Sequence, residues 1–207
     1  MLIQSKERIV FFGDSLTSRT DLLCASSPAV RYSLDYRESY VDILMKKLLV
    51  HYPQLNIQFC NKGAGGDTAA HLLERYAKDV LPFHPTLVVL WIGQNDAKHF
   101  SPQKFQKAVR CLLGWMQEDH LRTVVLSTSA HRDANKMIAL KEIDEILKQE
   151  CAAFGFPFID VKSPMLKIME HNRKTACPIE LFTTGSHLSE LGNLLIADTV
   201  FDYFRFH

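Results

Sequence analysis

The chain of 207 residues contains no stretch approaching the ~20 consecutive apolar residues that a membrane helix requires. Its first residues, Met1-Leu2-Ile3-Gln4-Ser5-Lys6-Glu7-Arg8, also lack the apolar run of a secretory signal, so the expected compartment is the cytoplasm, with no membrane span. Net charge is scarce: 24 Lys and Arg against 23 Asp and Glu leave +1 with histidine neutral. No clustered basic excess offers a footprint for nucleic acid or an anionic membrane, so neither is expected as a partner. The five cysteines, Cys24, Cys60, Cys111, Cys151 and Cys177, are far apart and form no CxxC pair. They are expected as reduced, mostly buried thiols, with no zinc site or redox couple. The nine histidines show no HExxH or other metal spacing. Gly63-Ala64-Gly65-Gly66 fails as a dinucleotide fingerprint because the third glycine would fall on Thr68, and no Gly-Lys-Ser/Thr follows for a phosphate loop. No metal or cofactor is therefore expected.

Apolar material is plentiful, at 47% of residues with 13 Phe, 6 Tyr and 2 Trp, which excludes a disordered chain. Length, together with the absence of repeats, linkers and low-complexity stretches, predicts a single domain over residues 1–207.

Short β-rich runs alternate with longer helical patterns. Ile9-Val10-Phe11-Phe12 reads as a buried strand ending at Gly13. A helix from Glu38 to His51 carries Val41, Leu44, Met45, Leu48 and Leu49 on one face. Leu55 to Phe59 reads as the second strand, Gly63 to Gly66 as a glycine-rich turn, and Thr68 toward Val80 as a helix. Leu87 to Ile92 is apolar throughout, which suits a strand covered on both faces. Ser101 and Pro102 mark the start of a helix whose inner face is Phe105, Val109, Leu112, Leu113 and Met116. Val124 to Leu126, a helix from Ile138 to Phe154 closed by Gly155, a strand from Phe156 to Val161, and a helix from Ser189 to Phe204 complete the order. Such alternation implies βαβ units, hence a five-stranded parallel sheet with helices on both faces, and ligand sites at the carboxyl ends of the strands. Two connections, Ser18 to Arg37 and Ser163 to Ser186, are unusually long for a compact α/β domain. Leu22, Leu23, Tyr32 and Tyr36 in the first, and Met165, Leu166, Ile168, Leu181 and Phe182 in the second, either shape an apolar substrate pocket or pack the loops down.

Four segments gather small and polar residues where a strand gives way to a helix or a helix begins: Gly13-Asp14-Ser15-Leu16, Asn61 through Gly66-Asp67-Thr68, Gly93-Gln94-Asn95-Asp96, and Gly185-Ser186-His187-Leu188. Taken singly, a serine after a strand and a glycine is more often a helix cap than a nucleophile, and Asn95-Asp96 reads as an Asx turn. Taken together and in this order, they resemble the blocks of the SGNH or GDSL hydrolase superfamily. The resemblance spans nearly the whole chain. It implies the three-layer α/β/α, flavodoxin-like fold of that superfamily and a cofactor-independent hydrolase acting on small carboxylic esters. By the same resemblance Ser15 is the nucleophile and His187 the base. The oxyanion hole would be formed by the Ser15 and Gly66 amides and the Asn95 side chain, with Asp14 and Asp96 as structural acceptors.

The grouping makes chemical sense. A serine hydroxyl needs a base within hydrogen-bond reach, and the tetrahedral oxyanion formed on attack needs donors already in place. One position departs from the family pattern: the last block usually reads Asp-x-x-His, and here Thr184 stands three residues before His187. Three arrangements follow. His187 works with Ser15 as a dyad, its N–H taken by a main-chain carbonyl or a hydroxyl such as that of Thr184; or Glu180, the nearest upstream carboxylate, replaces the missing acid; or the chain is a catalytically weakened binding protein that keeps the fold. An acyltransferase would use the same residues with a different acceptor.

Overall fold

A computed structural model describes residues 2–18 and 39–206. β1 (Arg8–Gly13) is followed by α1 (Tyr40–His51), β2 (Gln58–Gly63), α2 (Ala69–Asp79), β3 (Leu87–Trp91), α3 (Pro102–Glu118), β4 (Arg122–Leu126), α4 (Ala134–Phe154) and β5 (Phe158–Ile159). Next come α5 (Lys162–Asn172), an antiparallel hairpin of β6 (Phe182–Thr184) and β7 (His187–Leu188), and α6 (Glu190–Phe206). Strands β1 to β5 form one parallel sheet in the order β2-β1-β3-β4-β5.

Alternation along the strands builds two cores. Ile9, Phe11, Leu87, Val89 and Trp91 point to a layer made by α1, α5 and α6, where Tyr40, Leu44, Met165, Ile196 and Val200 are buried. Val10, Phe12, Val88 and Leu90 point to the other layer, against Leu72, Tyr76, Val109, Leu113, Ile143 and Leu147 of α2, α3 and α4. This is the three-layer, flavodoxin-like architecture that the sequence predicts. With helices on both faces, the central strands have no exposed side, which is why β3 is apolar at every position.

Three local expectations change. The second strand begins at Gln58 rather than Leu55, because Pro53 opens a 3-10 turn that ends with Asn56 in the left-handed region at φ 50°. Pairing with β1 starts only at Arg8 opposite Gln58 and runs on through Asn61, Lys62 and Gly63. Polar residues are tolerated there because β2 is an edge strand, covered on one side only. The fifth strand contracts to Phe158–Ile159, since the Asp160 side chain accepts from the Lys162 and Ser163 amides at 3.0 and 2.9 Å and starts α5 instead. The long connection after Ser163 is therefore helical as far as Asn172. Met165, Leu181 and Phe182 belong to the core rather than to a substrate pocket. The connection from Ser18 to Arg37 lies, after Ser18, outside the described residues, as does Glu38. Cys60, Cys111, Cys151 and Cys177 are free thiols, although Cys111 and Cys177 are exposed rather than buried. No helix among the described residues is long and apolar enough to cross a membrane.

Candidate active site

β1 has β2 on one side and β3 on the other, so the chain reverses its direction of winding beside β1. A crevice opens at the carboxyl ends of strands at such a point. Ser15, Gly66 and Asn95 each follow one of these three strands.

The turn after β1 is built on Asp14. Its Oδ1 accepts from the Leu16 amide at 2.9 Å, and its carbonyl accepts from the Thr17 and Ser18 amides at 3.1 Å each. Gly13 ends the strand under severe crowding: a Cβ there would lie 2.3 Å from the Trp91 carbonyl oxygen and 2.4 Å from the Thr17 hydroxyl. Only glycine lets β1 pass this close to β3 and turn at once, so the position of Ser15 is set by the backbone.

The β2 segment is tied to the same turn. Asn61 Nδ2 donates to the Thr17 carbonyl at 2.7 Å while its Oδ1 accepts from the Gly63 amide at 2.9 Å, and the Ala64 amide donates to the Gly13 carbonyl at 3.0 Å. Gly66 follows at φ 83°, a conformation that side chains disfavour. Neither the Ser15 nor the Gly66 amide donates to an acceptor among the described residues.

The β3 segment closes the group. Asn95 Nδ2 donates to the Asp67 carbonyl at 3.0 Å and stands 3.5 Å from Asp14 Oδ2. Asp96 accepts from the Ala69 amide at 3.1 and 3.3 Å, and so pins this loop to the first turn of α2. Buried Gln94 is bound in turn, its Oε1 accepting from the Ser129 hydroxyl at 3.1 Å. The sequence reading of Asp14 and Asp96 as structural acceptors agrees with these bonds.

Burial raises the pKa of both carboxyls. Asp14 is pushed up to about 7, chiefly by desolvation, with the Leu16 amide opposing and Asp96 and Asp67 adding repulsion. Asp96 is pushed up to about 6 by desolvation against the Ala69 amide. At neutral pH Asp14 is therefore about half protonated, while Asp96 is mostly ionised. Beside Asp14 lies the buried hydroxyl of Tyr40, driven above its ordinary range by desolvation.

His187 is exposed on β7, opposite Thr184 in the hairpin register. The hairpin is anchored from below. The Ser189 amide donates to the Leu181 carbonyl at 2.9 Å, the Ser189 hydroxyl donates to the Glu180 carbonyl at 2.6 Å, and Asn193 Oδ1 accepts from the Tyr40 amide at 2.9 Å. Leu188 shares its core with Leu16 of the serine turn. Glu180 is engaged elsewhere: its carboxylate is paired with Arg132 and accepts from the Phe182 amide at 3.3 Å. The Arg132 guanidinium holds it below the usual carboxylate range.

Sequence reasoning does not single out Asn61 as a bridge, nor Arg75, whose guanidinium reaches Gly13, Asp67 and Asp79. The Asn61 bridge has one visible signal, an asparagine within an otherwise edge-like strand directly before the glycines. A groove of about 560 Å³ between α4, β5 and α5 is lined by none of Ser15, Gly66, Asn95 and His187.

This sheet, with its strand-end segments bound into one unit, has the layout of a three-layer α/β enzyme whose site lies at the carboxyl ends of its strands. Comparison with known proteins places it more narrowly. The chain matches the GDSL-like Lipase/Acylhydrolase family over residues 11–194 and belongs to that family, whose members are esterases and acylhydrolases. It is 25% identical over 214 residues, covering 95% of this chain and 93% of the relative, to an acetylxylan esterase of Geobacillus stearothermophilus. The crystal structure of an acetylxylan esterase from that organism superposes with a TM-score of 0.81 at 22% identity, covering 100% of this chain and 98% of that one. An α/β hydrolase from the metagenome of Lake Arreo, Spain, superposes at 0.80 with 19% identity, covering 99% and 98%. Structures of catalytic mutants of the Geobacillus enzyme replace a serine, an aspartate and a histidine.

Proposed function

We propose that the chain is a serine esterase that cleaves short-chain carboxylic esters through an acyl-serine intermediate. Ser15 Oγ attacks the ester carbonyl as its proton passes to His187. The oxyanion is received by the Ser15 and Gly66 amides and by Asn95 Nδ2. On collapse, the proton returns from His187 to the departing alkoxide, leaving the acyl group on Ser15. Water then attacks the acyl-serine, giving its proton to His187, and His187 passes that proton to Ser15 Oγ as the carboxylic acid leaves.

The observation that carries this reading is the bonding of the three strand-end segments to one another. Asn95 holds the Asp67 carbonyl, the residue after Gly66, and reaches toward Asp14, the residue before Ser15. Three donors from three strands are thereby fixed in relation to one another before substrate arrives, which is the condition for lowering a barrier electrostatically. The similarity to an acetylxylan esterase supports acetyl esters as the substrate class of this chain. With Thr184 where the family carries its acid and Glu180 occupied by Arg132, the reading is a Ser15–His187 dyad.

Hydrolysis of p-nitrophenyl acetate and butyrate by wild type and Ser15→Ala tests it. The expected result is turnover by wild type, faster on acetate, and none above background by the variant. Equal rates in the two proteins would overturn it. The Thr184 departure favours a second reading, a binder with weakened catalysis, which predicts no adduct at Ser15 with a fluorophosphonate probe.

A further inference from the structure

Arg75 lies on α2, outside every segment assigned to the chemistry, yet it makes contacts that none of those segments makes. Its Nε donates to Asp67 Oδ2 at 2.6 Å, its Nη1 to Asp79 Oδ2 at 2.9 Å, and its Nη2 to the Gly13 carbonyl oxygen at 2.9 Å. Its guanidinium carbon stands 4.5 Å from the centre of the buried Phe12 ring. With 18% of its side chain exposed, the group is held between the aromatic face below and two carboxylates beside it.

The partners matter because of what adjoins them. Gly13 is two residues before Ser15, and its carbonyl also accepts from Ala64 of the β2 segment. Asp67 directly follows Gly66, and its carbonyl takes the amide of Asn95. One side chain thus fixes the turn carrying the nucleophile and the turn carrying Gly66, and through Asp67 it fixes the third donor. A fold held by its sheet alone needs none of these bonds, since β1 and β2 are already paired up to Gly13 and Gly63. The clamp acts on the residues beyond the end of that pairing.

We infer that Arg75 is the positioning residue of the oxyanion hole, setting the Gly66 amide and the Asn95 side chain relative to Ser15 by gripping Asp67 and the Gly13 carbonyl at once. The inference rests on the reading proposed above. Arginine is required because a planar fork with three separately directed N–H groups spans a carboxylate on each side and a carbonyl ahead, whereas a lysine ammonium is a point donor. Lost alignment acts on the transition state, where charge develops, more than on the bound ester, so the effect falls on kcat.

The test measures kcat and KM for p-nitrophenyl acetate in Arg75→Ala, Arg75→Lys and Asp67→Ala. Arg110→Met, which breaks a pair with buried Glu150 between α3 and α4, serves as the control for a lost ion pair. Arg75→Ala is expected to lower kcat by roughly 10- to 100-fold, the range of a displaced oxyanion donor, with KM within about threefold of wild type. Arg75→Lys should recover little, and methylguanidinium added to Arg75→Ala should restore part of kcat, which a purely structural loss would not allow. Arg110→Met should lower stability and leave kcat unchanged. Asp67→Ala removes the acceptor at the other end of the same link while leaving Arg75 its bonds to Asp79 and Gly13, and it must show the same fall in kcat. Wild-type kcat in folded Arg75→Ala, or in Asp67→Ala where the arginine variants do not fold, would overturn the inference while leaving the serine esterase reading standing. Ser15→Ala as active as wild type would remove both.

Discussion

Replacing Asp14 by asparagine perturbs the site at its most buried acid. Asp14 is 1% exposed, and burial lifts its carboxyl from 3.8 to about 7. Folding therefore favours its protonated form. The stabilisation is fully present below pH 3.8 and is lost as pH rises toward 7. A tenfold change in proton affinity between the folded and unfolded chain is worth about 1.4 kcal/mol, so the rise from 3.8 to about 7 corresponds to roughly 4 kcal/mol in all, of which about 3 kcal/mol is lost between pH 5 and 8. Asparagine keeps the oxygen that accepts from the Leu16 amide at 2.9 Å and carries no charge at any pH. Urea denaturation of wild type and Asp14→Asn at pH 5, 6, 7 and 8, followed by the fluorescence of buried Trp91, gives the difference directly. Groups that do not interact with Asp14 cancel in it. Between pH 5 and pH 8 the variant should gain about 3 kcal/mol of stability relative to wild type. Parallel stability curves across that range would refute the reasoning, because they would mean that Asp14 ionises alike in the folded and unfolded chain.

Thr184→Asp restores the acid of the family pattern opposite His187, and kcat for p-nitrophenyl acetate should rise by roughly 10-fold or more with little change in KM. Gly66→Ala meets no atom within 4 Å but must hold φ at 83°, so urea denaturation should show a loss of about 1 kcal/mol, with a larger proportional loss in kcat as the amide turns away. Arg122→Met strands the Glu7 carboxylate, which is 2% exposed and keeps only the Gln4 amide and the Thr86 hydroxyl, so thermal or urea unfolding should show a loss of about 3 kcal/mol. Adding Glu7→Gln should recover part of that loss.

The elements most legible in the sequence are those whose burial is complete or whose ends are marked. β3 is apolar at all positions, and α3 carries Ser101 and Pro102 at its start and five apolar residues on its inner face. α5 is not legible because its buried positions are Met165 and a lysine. Lys162 is hidden by its pair with Asp144 and a bond to the Leu140 carbonyl at 3.1 Å, a partnership across 22 residues that no periodicity reveals. The site divides in the same way. Ser15, Gly66 and Asn95 stand out because strand ends seldom gather glycine, serine and asparagine in that order. Arg75 does not, since two of its partners are an aspartate eight residues away and a main-chain carbonyl, and a carbonyl carries no side-chain signature. The occupation of Glu180 by Arg132, 48 residues distant, is equally invisible.

The Leu2 amide donates to the Phe204 carbonyl at 3.0 Å, which puts the beginning and the end of the described chain side by side at the edge of one core. A short loop across that gap would turn the molecule into a closed ring, and the ring could be reopened at an exposed turn such as the one after α5. In such a permuted chain the hairpin bearing His187 would be synthesised before the turn bearing Ser15, while every contact described between them and the sheet is retained. The order in which serine and histidine follow one another is then a matter of where the polypeptide was cut, and the site belongs to the three-dimensional ring.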